Sequence, residues 1–124
     1  MFRSMLKSKI HRATVTDADL NYEGSITIDR VLMEAARIFP FEQVSVYNIS
    51  NGERFKTYVI PGQRESGIIG INGAAARKAS TGDKIIIASY VMASEEEIQN
   101  GNTSLVFVDQ QNKIVSQKDV KWLG

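Results

Sequence analysis

The sequence predicts a mainly β domain, a small barrel or sandwich carrying a few short helices. Two observations lead there. Seven or eight short runs have β-branched or alternating character, and Gly, Asn and Asp turn positions separate them. No internal repeat, low-complexity tract or linker divides the 124 residues, so the chain reads as one domain, 1–124. That length supports a core without disulfides.

The elements follow in order. Residues 2–7 and 10–16 show mixed alternation, and 25–28 (SITI) is brief and β-branched. Asp29 caps a helix expected over 30–38, with Val31, Leu32, Ala35 and Ile38 on one face. Residues 44–49 and 54–60 flank Asn51-Gly52, the best hairpin signal in the chain. Pro40 and Pro61 are read as lying between periodic segments. Runs at 68–71, 85–91 and 104–108 complete the strands. Ala74–Ala79 has helical propensity but little room between Gly73 and Gly82. Ser94 with Glu97 forms a capping box, and Glu95, Glu96 and Glu97 make either a solvated first turn or an acidic partner site. After residue 109 the chain is polar, and Trp122-Leu123 either docks on the barrel or a neighbour, or frays.

Composition narrows function by exclusion. Fifteen Lys plus Arg face fourteen Asp plus Glu, a net charge of +1, which gives no reason to expect nucleic acid or an anionic membrane. The same balance permits self-association. With no cysteine and one histidine, thiolate catalysis, Cys-based zinc sites and multi-histidine metal sites are excluded within a chain. No segment has the length and apolarity of a membrane span, and the basic start lacks a secretory pattern, so a soluble cytoplasmic protein is expected.

The individual candidates are weak. His11 reads as a structural or surface residue. Lys9, Arg12, Arg54 and Lys56 are solvated charges unless one points at a substrate, where Arg54 offers a bidentate grip on a carboxylate. Asn72-Gly73-Ala74-Ala75 is a turn whose backbone N–H groups suit an anion. Thr57 and Tyr58 share the Arg54 strand, but strand neighbours face opposite ways.

The stretch Asp19-Leu20-Asn21-Tyr22-Glu23-Gly24-Ser25-Ile26-Thr27-Ile28-Asp29 is more specific. It closely resembles the processing site of the pyruvoyl-dependent aspartate 1-decarboxylases. The resemblance extends to Met5–Ala13, Asn51–Tyr58, Asn72–Arg77, Thr81-Gly82-Asp83 and Ile86–Tyr90, in family order and spacing.

That resemblance implies a six-stranded double-psi β-barrel with short helices, assembled as a homotetramer. It implies cleavage between Gly24 and Ser25 into a β chain, 1–24, and an α chain, 25–124, with Ser25 becoming a covalent pyruvoyl group. Chemically, attack of the Ser25 hydroxyl on the Gly24 carbonyl gives an ester, and elimination and hydrolysis leave a ketone; a glycine at 24 suits the strained backbone this needs. The resemblance gives Thr57 as the oxyanion donor. Alanine at 25 has no nucleophile, whereas cysteine retains one.

The ketone is the electron sink otherwise missing from the composition. L-Aspartate forms a Schiff base with it, loses its α-carboxylate as carbon dioxide and leaves as β-alanine, feeding pantothenate and coenzyme A biosynthesis. No pyridoxal phosphate or metal is called for. The resemblance gives Tyr58 as proton donor and Lys9 and Arg54 as carboxylate ligands. It adds Thr57, Asn72, Gly73, Ala74 and Ala75 as substrate-binding, and Tyr47 and Ile86 as pocket wall. Arg54 is expected to hold the retained side-chain carboxylate, because gripping the departing one slows its loss. Tyr47 stands where many members have tryptophan. The need for a maturation factor stays open. The competing reading is an unprocessed β-barrel binding or DNA-binding regulatory protein.

Overall fold

Side chains alternate along each strand between a shared interior and an outer face, and this alternation sets the architecture. The computed structural model describes residues 1–124. Its elements are β1 (Phe2–Thr14), β2 (Asp17–Asp19), β3 (Ser25–Asp29), α1 (Arg30–Ala35), β4 (Gln43–Asn48), β5 (Arg54–Gly62) and β6 (Ile69–Asn72). A 3₁₀ turn at Gly73–Arg77 is followed by β7 (Lys84–Ser94), α2 (Glu95–Asn100), β8 (Asn102–Val108) and β9 (Ile114–Lys121).

The strands form one sheet in the order β2-β6-β3-β5-β4-β7-β1-β8-β9. β1 with β8, β2 with β6 and β3 with β5 run parallel, and the other pairs run antiparallel. The sheet curls around a single cluster of 18 buried residues contributed by β1, β3 to β8, α1 and the connections that carry Val15, Ala36, Ile38 and Ala79. Ile10, Ile26, Ile28, Val46, Val59 and Ile87 are wholly inaccessible within it. Each such side chain contributes roughly 1.5–3 kcal/mol by leaving water.

Asn112, in the β8–β9 turn, ties distant parts of this sheet together. Its side-chain amide donates to the carbonyls of Thr14 (2.9 Å) and Gly67 (2.7 Å), and its carbonyl accepts from the Thr14 N–H (2.7 Å). β1 and the loop before β6 are thereby pinned to one buried side chain.

The mainly β class with short helices holds, with nine strands where the sequence suggests seven or eight and the resemblance six. The two N-terminal runs fuse into β1, whose register shifts twice against β7; Arg12 at the second shift takes a left-handed φ of 63°. β2 is three exposed residues, and β9 is exposed beyond Ile114, so neither carries an apolar signal.

Helix α1 stops at Ala35, short of the expected 38. Arg37 enters the left-handed region (φ 57°), and the Ile38 N–H reaches back to the Met33 carbonyl, which closes the helix end. The alanine-rich segment forms a 3₁₀ turn rather than a helix. Pro61 lies inside β5, not between elements. The pairing on that edge ends at Val59, which bonds with Phe41 and Glu42, so no ladder bond needs the missing N–H at Pro61. The C-terminal end docks: Trp122 donates to the Leu6 carbonyl at 2.9 Å and covers Gly101, where a Cβ has no room.

Candidate active site

Ser25 opens β3, and Ile26 and Ile28 fix its direction. Both isoleucines enter the core, so Ser25 and Thr27 turn to the opposite face. Ser25 is nonetheless fully buried. Its antiparallel partner is Asn72, at the end of β6. The Asn72 amide donates to Ser25 Oγ at 2.9 Å and to Thr27 Oγ1 at 3.2 Å. The Ser25 hydroxyl in turn points at the Glu23 carbonyl, 3.5 Å away.

Gly73 follows at φ 71°. A Cβ there would lie 2.7 Å from both Cα and N of Gly24 and 2.9 Å from the Tyr22 carbonyl oxygen. The space around Gly24 itself is open, and its φ is outside the left-handed region. In the uncut chain the close approach that only a glycine permits is at position 73. Ala74 and Ala75 continue into the 3₁₀ turn, whose opening N–H groups have no acceptor within the turn.

β5 runs parallel beside β3 with Ile26 paired to Val59. One step upstream along both strands brings Ser25 level with Tyr58, with Thr57 the next residue back on β5. Alternation gives Tyr58 the Ser25 face, while Thr57 shares the core-side face with its buried partner Val44. The Tyr58 ring stacks on Phe41, with centroids 6.2 Å apart. Neither Thr57 nor Tyr58 hydrogen-bonds to Ser25, whose partners are Asn72 and Glu23.

A second group lies on the outer face of β5, β4 and β7. Arg54, Tyr47 and Ile86 form one cross-strand row. The Arg54 guanidinium sits 4.2 Å above the Tyr47 ring and pairs with no carboxylate, leaving its fork free. The hydroxyls of Tyr47 and Tyr90 meet at 2.8 Å. That hydrogen bond, with burial and the neighbouring phenol, raises the Tyr90 pKa above the ordinary value, against a smaller opposing effect of Arg54. Tyr47 and Tyr90 wall a cavity of about 530 Å³ with Lys56, Glu42 and Ser45. A larger cavity, about 830 Å³, lies beside α1 between Lys7, Arg37, Phe39 and Glu42.

Lys9 pairs with Ala88, two residues from Ile86 on β7 and on the face opposite the buried Ile87, so it stands beside the outer row and away from Ser25. It is half-buried on β1 between Ala88 and Leu105, and β7, β4 and β5 stand between β1 and β3 in the sheet. His11, nearby, packs edge-on against Phe107 at 5.6 Å. Burial, then the charges of Lys9 and Arg12, hold its pKa below the usual histidine value.

A family model described as aspartate decarboxylase matches residues 1–115. The chain belongs to the aspartate decarboxylase family. An aspartate 1-decarboxylase of Syntrophus aciditrophicus is 62% identical over 92% of this chain and 98% of its own. One of Caldicellulosiruptor bescii is 60% identical over 96% of this chain and 93% of its own. One of Neisseria meningitidis is 58% identical over 92% and 90%. A crystal structure of the rationally designed mkDPBB_sym1 protein superposes on 73% of the chain at a TM-score of 0.47 and 17% identity.

For a member of the aspartate decarboxylase family, the residues expected from the sequence thus separate into two places. Gly24, Ser25, Asn72 and Gly73 are in direct contact, with Tyr58 level with Ser25 on the next strand and Thr57 beside Tyr58. Tyr47, Arg54 and Ile86 form the outer row, with Lys9 beside it on the same face of the neighbouring strand. Two polar participants escaped the sequence reading. Thr27 shares the Asn72 amide, and Tyr90 holds the Tyr47 hydroxyl. The first was signalled by its place two residues after Ser25, where alternation returns a side chain to the same face.

Proposed function

We propose that this chain cuts its own backbone between Gly24 and Ser25, giving fragments 1–24 and 25–124, and then decarboxylates L-aspartate to β-alanine and carbon dioxide. As an aspartate 1-decarboxylase it acts as a carbon–carbon lyase supplying pantothenate and coenzyme A biosynthesis. The observation that carries this reading is the fully buried Ser25 hydroxyl, fixed by Asn72 one residue after Gly24, in a chain of this family.

In maturation, Ser25 Oγ bonds to the Gly24 carbonyl carbon, the amide C–N bond breaks, and the hydroxyl proton passes to the released nitrogen. Thr57, next to Tyr58 on the neighbouring strand, is the donor that steadies the oxyanion on the way. Elimination then frees the Gly24 carboxylate and leaves a dehydroalanine; water adds, ammonia departs, and a pyruvoyl group remains at position 25. The Ser25 Oγ departs in the Gly24 carboxylate and the ketone oxygen comes from water, so the Asn72 amide that held Oγ is left beside residue 25 as a free donor, and Gly73 presents no side chain next to Gly24. The pyruvoyl ketone supplies an electrophile for an amine and a sink for the electron pair freed when a carboxylate leaves.

The remaining steps fall to side chains. Tyr58, on the Ser25 face, gives a proton to the α-carbon. Arg54, with no internal ion pair, takes the retained side-chain carboxylate, and Lys9 gives a second cation. Asn72 and the amides of Gly73, Ala74 and Ala75 orient the substrate, with Tyr47 and Ile86 as wall. The route calls on neither pyridoxal phosphate nor a metal. Within one chain these groups stand apart, and we assign their convergence to a homotetramer in the cytoplasm; exposed Phe39, Phe41 and Met92 give it apolar contact surface. A maturation factor would act on the rate of cleavage.

The test is conversion of L-aspartate to β-alanine without added pyridoxal phosphate, by the wild-type chain and by Ser25→Ala. The wild type is expected to form β-alanine and the variant none. Turnover by Ser25→Ala would remove the route, and an uncut, inactive wild type would favour an unprocessed binding protein.

A further inference from the structure

The Asn72 amide has two N–H bonds, and both are spoken for: one meets Ser25 Oγ at 2.9 Å, the other Thr27 Oγ1 at 3.2 Å. Serine 25 and threonine 27 stand on the same face of β3, with the inward isoleucine 26 between them. The Asn72 side chain therefore spans them like a bridge. Thr27 itself has little freedom. Its Cγ2 lies 3.1 Å from where a Cβ on Gly62 would be, and its Cβ 3.6 Å from the same point on Gly70. Backbone glycines thus pack against the threonine and fix its hydroxyl.

We propose that Thr27 is a positioning residue for maturation, holding the Asn72 amide in the orientation that donates to Ser25 Oγ. This rests on the self-cleavage reading above. An amide donor occupying one Oγ lone pair leaves the hydroxyl proton to point elsewhere, and the Glu23 carbonyl is the group it meets. With Thr27 as second acceptor, rotation of the Asn72 amide breaks two hydrogen bonds. Without it, rotation breaks one, and the amide oxygen can turn to capture the Ser25 proton. Captured in that way, the hydroxyl loses the orientation from which it attacks the Gly24 carbonyl. Thr27 touches no reacting atom, so its influence must pass through Asn72.

The experiment measures the rate at which fragment 25–124 appears from purified precursor, by intact mass, for wild type, Thr27→Val, Thr27→Ser and Asn72→Ala. Thermal unfolding of each uncut precursor is followed in parallel. Thr27→Val is expected to slow cleavage on the order of tenfold, the weight of one hydrogen bond. Thr27→Ser, which keeps the hydroxyl, is expected to stay within about threefold of wild type. In the Asn72→Ala background, Thr27→Val should change the rate by less than about twofold, because the bridge is already gone. Thr27→Ala, which sets no methyl against the amide, takes the place of Thr27→Val if that variant does not fold. Wild-type cleavage in Thr27→Val, or an equal slowing with and without Asn72, overturns the proposal while leaving self-cleavage intact. A wild-type chain that never cuts overturns the underlying reading, and the proposal with it.

Discussion

Gly73 packs against Gly24 so closely that a single added carbon on Gly73 would sit 2.7 Å from both Cα and N of Gly24. Gly73 also holds φ at 71°, a conformation other residues adopt at a cost. Two independent constraints thus meet at one glycine, beside the bond proposed to break. Gly73→Ala is expected to cost about 1–3 kcal/mol in urea unfolding of the uncut precursor and to slow cleavage. Gly24→Ala, which adds a methyl in open space, is expected to leave unfolding within about 0.5 kcal/mol of wild type.

Tyr47→Phe removes the hydroxyl that Tyr90 meets at 2.8 Å. The Tyr90 pKa, raised chiefly by that bond, should fall back toward the ordinary phenol value of about 10. A folded-state pKa above the unfolded one contributes stability that is complete below the unfolded value and is lost as pH rises through the folded one. The stability gap between wild type and Tyr47→Phe should therefore be constant near neutrality and shrink from about pH 10 upward. Phenolate absorbance during titration checks the first point, and unfolding at several pH values the second.

Glu42 tests the same linkage with the opposite sign. Burial opposes its ionisation most strongly, yet the Lys7 ammonium at 2.7 Å, the Phe39 N–H at 3.0 Å and the Ser89 hydroxyl together outweigh burial and hold its pKa below the usual range. A depressed folded-state pKa contributes stability above the unfolded value that is lost as pH falls through the folded one. Glu42→Gln should cost roughly 1–2 kcal/mol at neutral pH. That loss should diminish as pH drops below about 4.3, the ordinary glutamate value. Urea unfolding across this range is the measurement.

Asn112→Ala strips three hydrogen bonds from a site that is 1% exposed, leaving the Thr14 and Gly67 carbonyls without their donor. The expected loss is about 2–4 kcal/mol, since buried groups left unpaired cost more than a bond gains. Proteolysis should then attack the Gly62–Ile69 loop and the β8–β9 turn first, because the bond that joins them is lost.

The sequence made the local signals visible and hid the distant ones. Asn51-Gly52 turns β4 into β5, with Gly52 at φ 81°. Ser94 and Glu97 form the expected capping box on α2. These depend on residues only a few positions apart. The end of α1 was hidden because arginine, not glycine, occupies the left-handed position at 37. β9 was hidden because its pairing with β8 comes from backbone bonds and not from an apolar face. At the site, the motif pointed to Gly24, Ser25, Asn72 and Gly73, and these four do meet. The separation of Lys9 and Arg54 from them depends on strand order, which no local pattern in the sequence encodes.

The central claim is that this chain generates its own reactive group from Ser25, and intact-mass measurement of the purified protein tests it most directly. Two species are expected: residues 1–24 with an ordinary C-terminal carboxylate, and residues 25–124 lighter by one ammonia than simple hydrolysis would give. A single uncut chain of 124 residues after prolonged incubation, or a 25–124 fragment retaining an intact serine amino terminus, would contradict it.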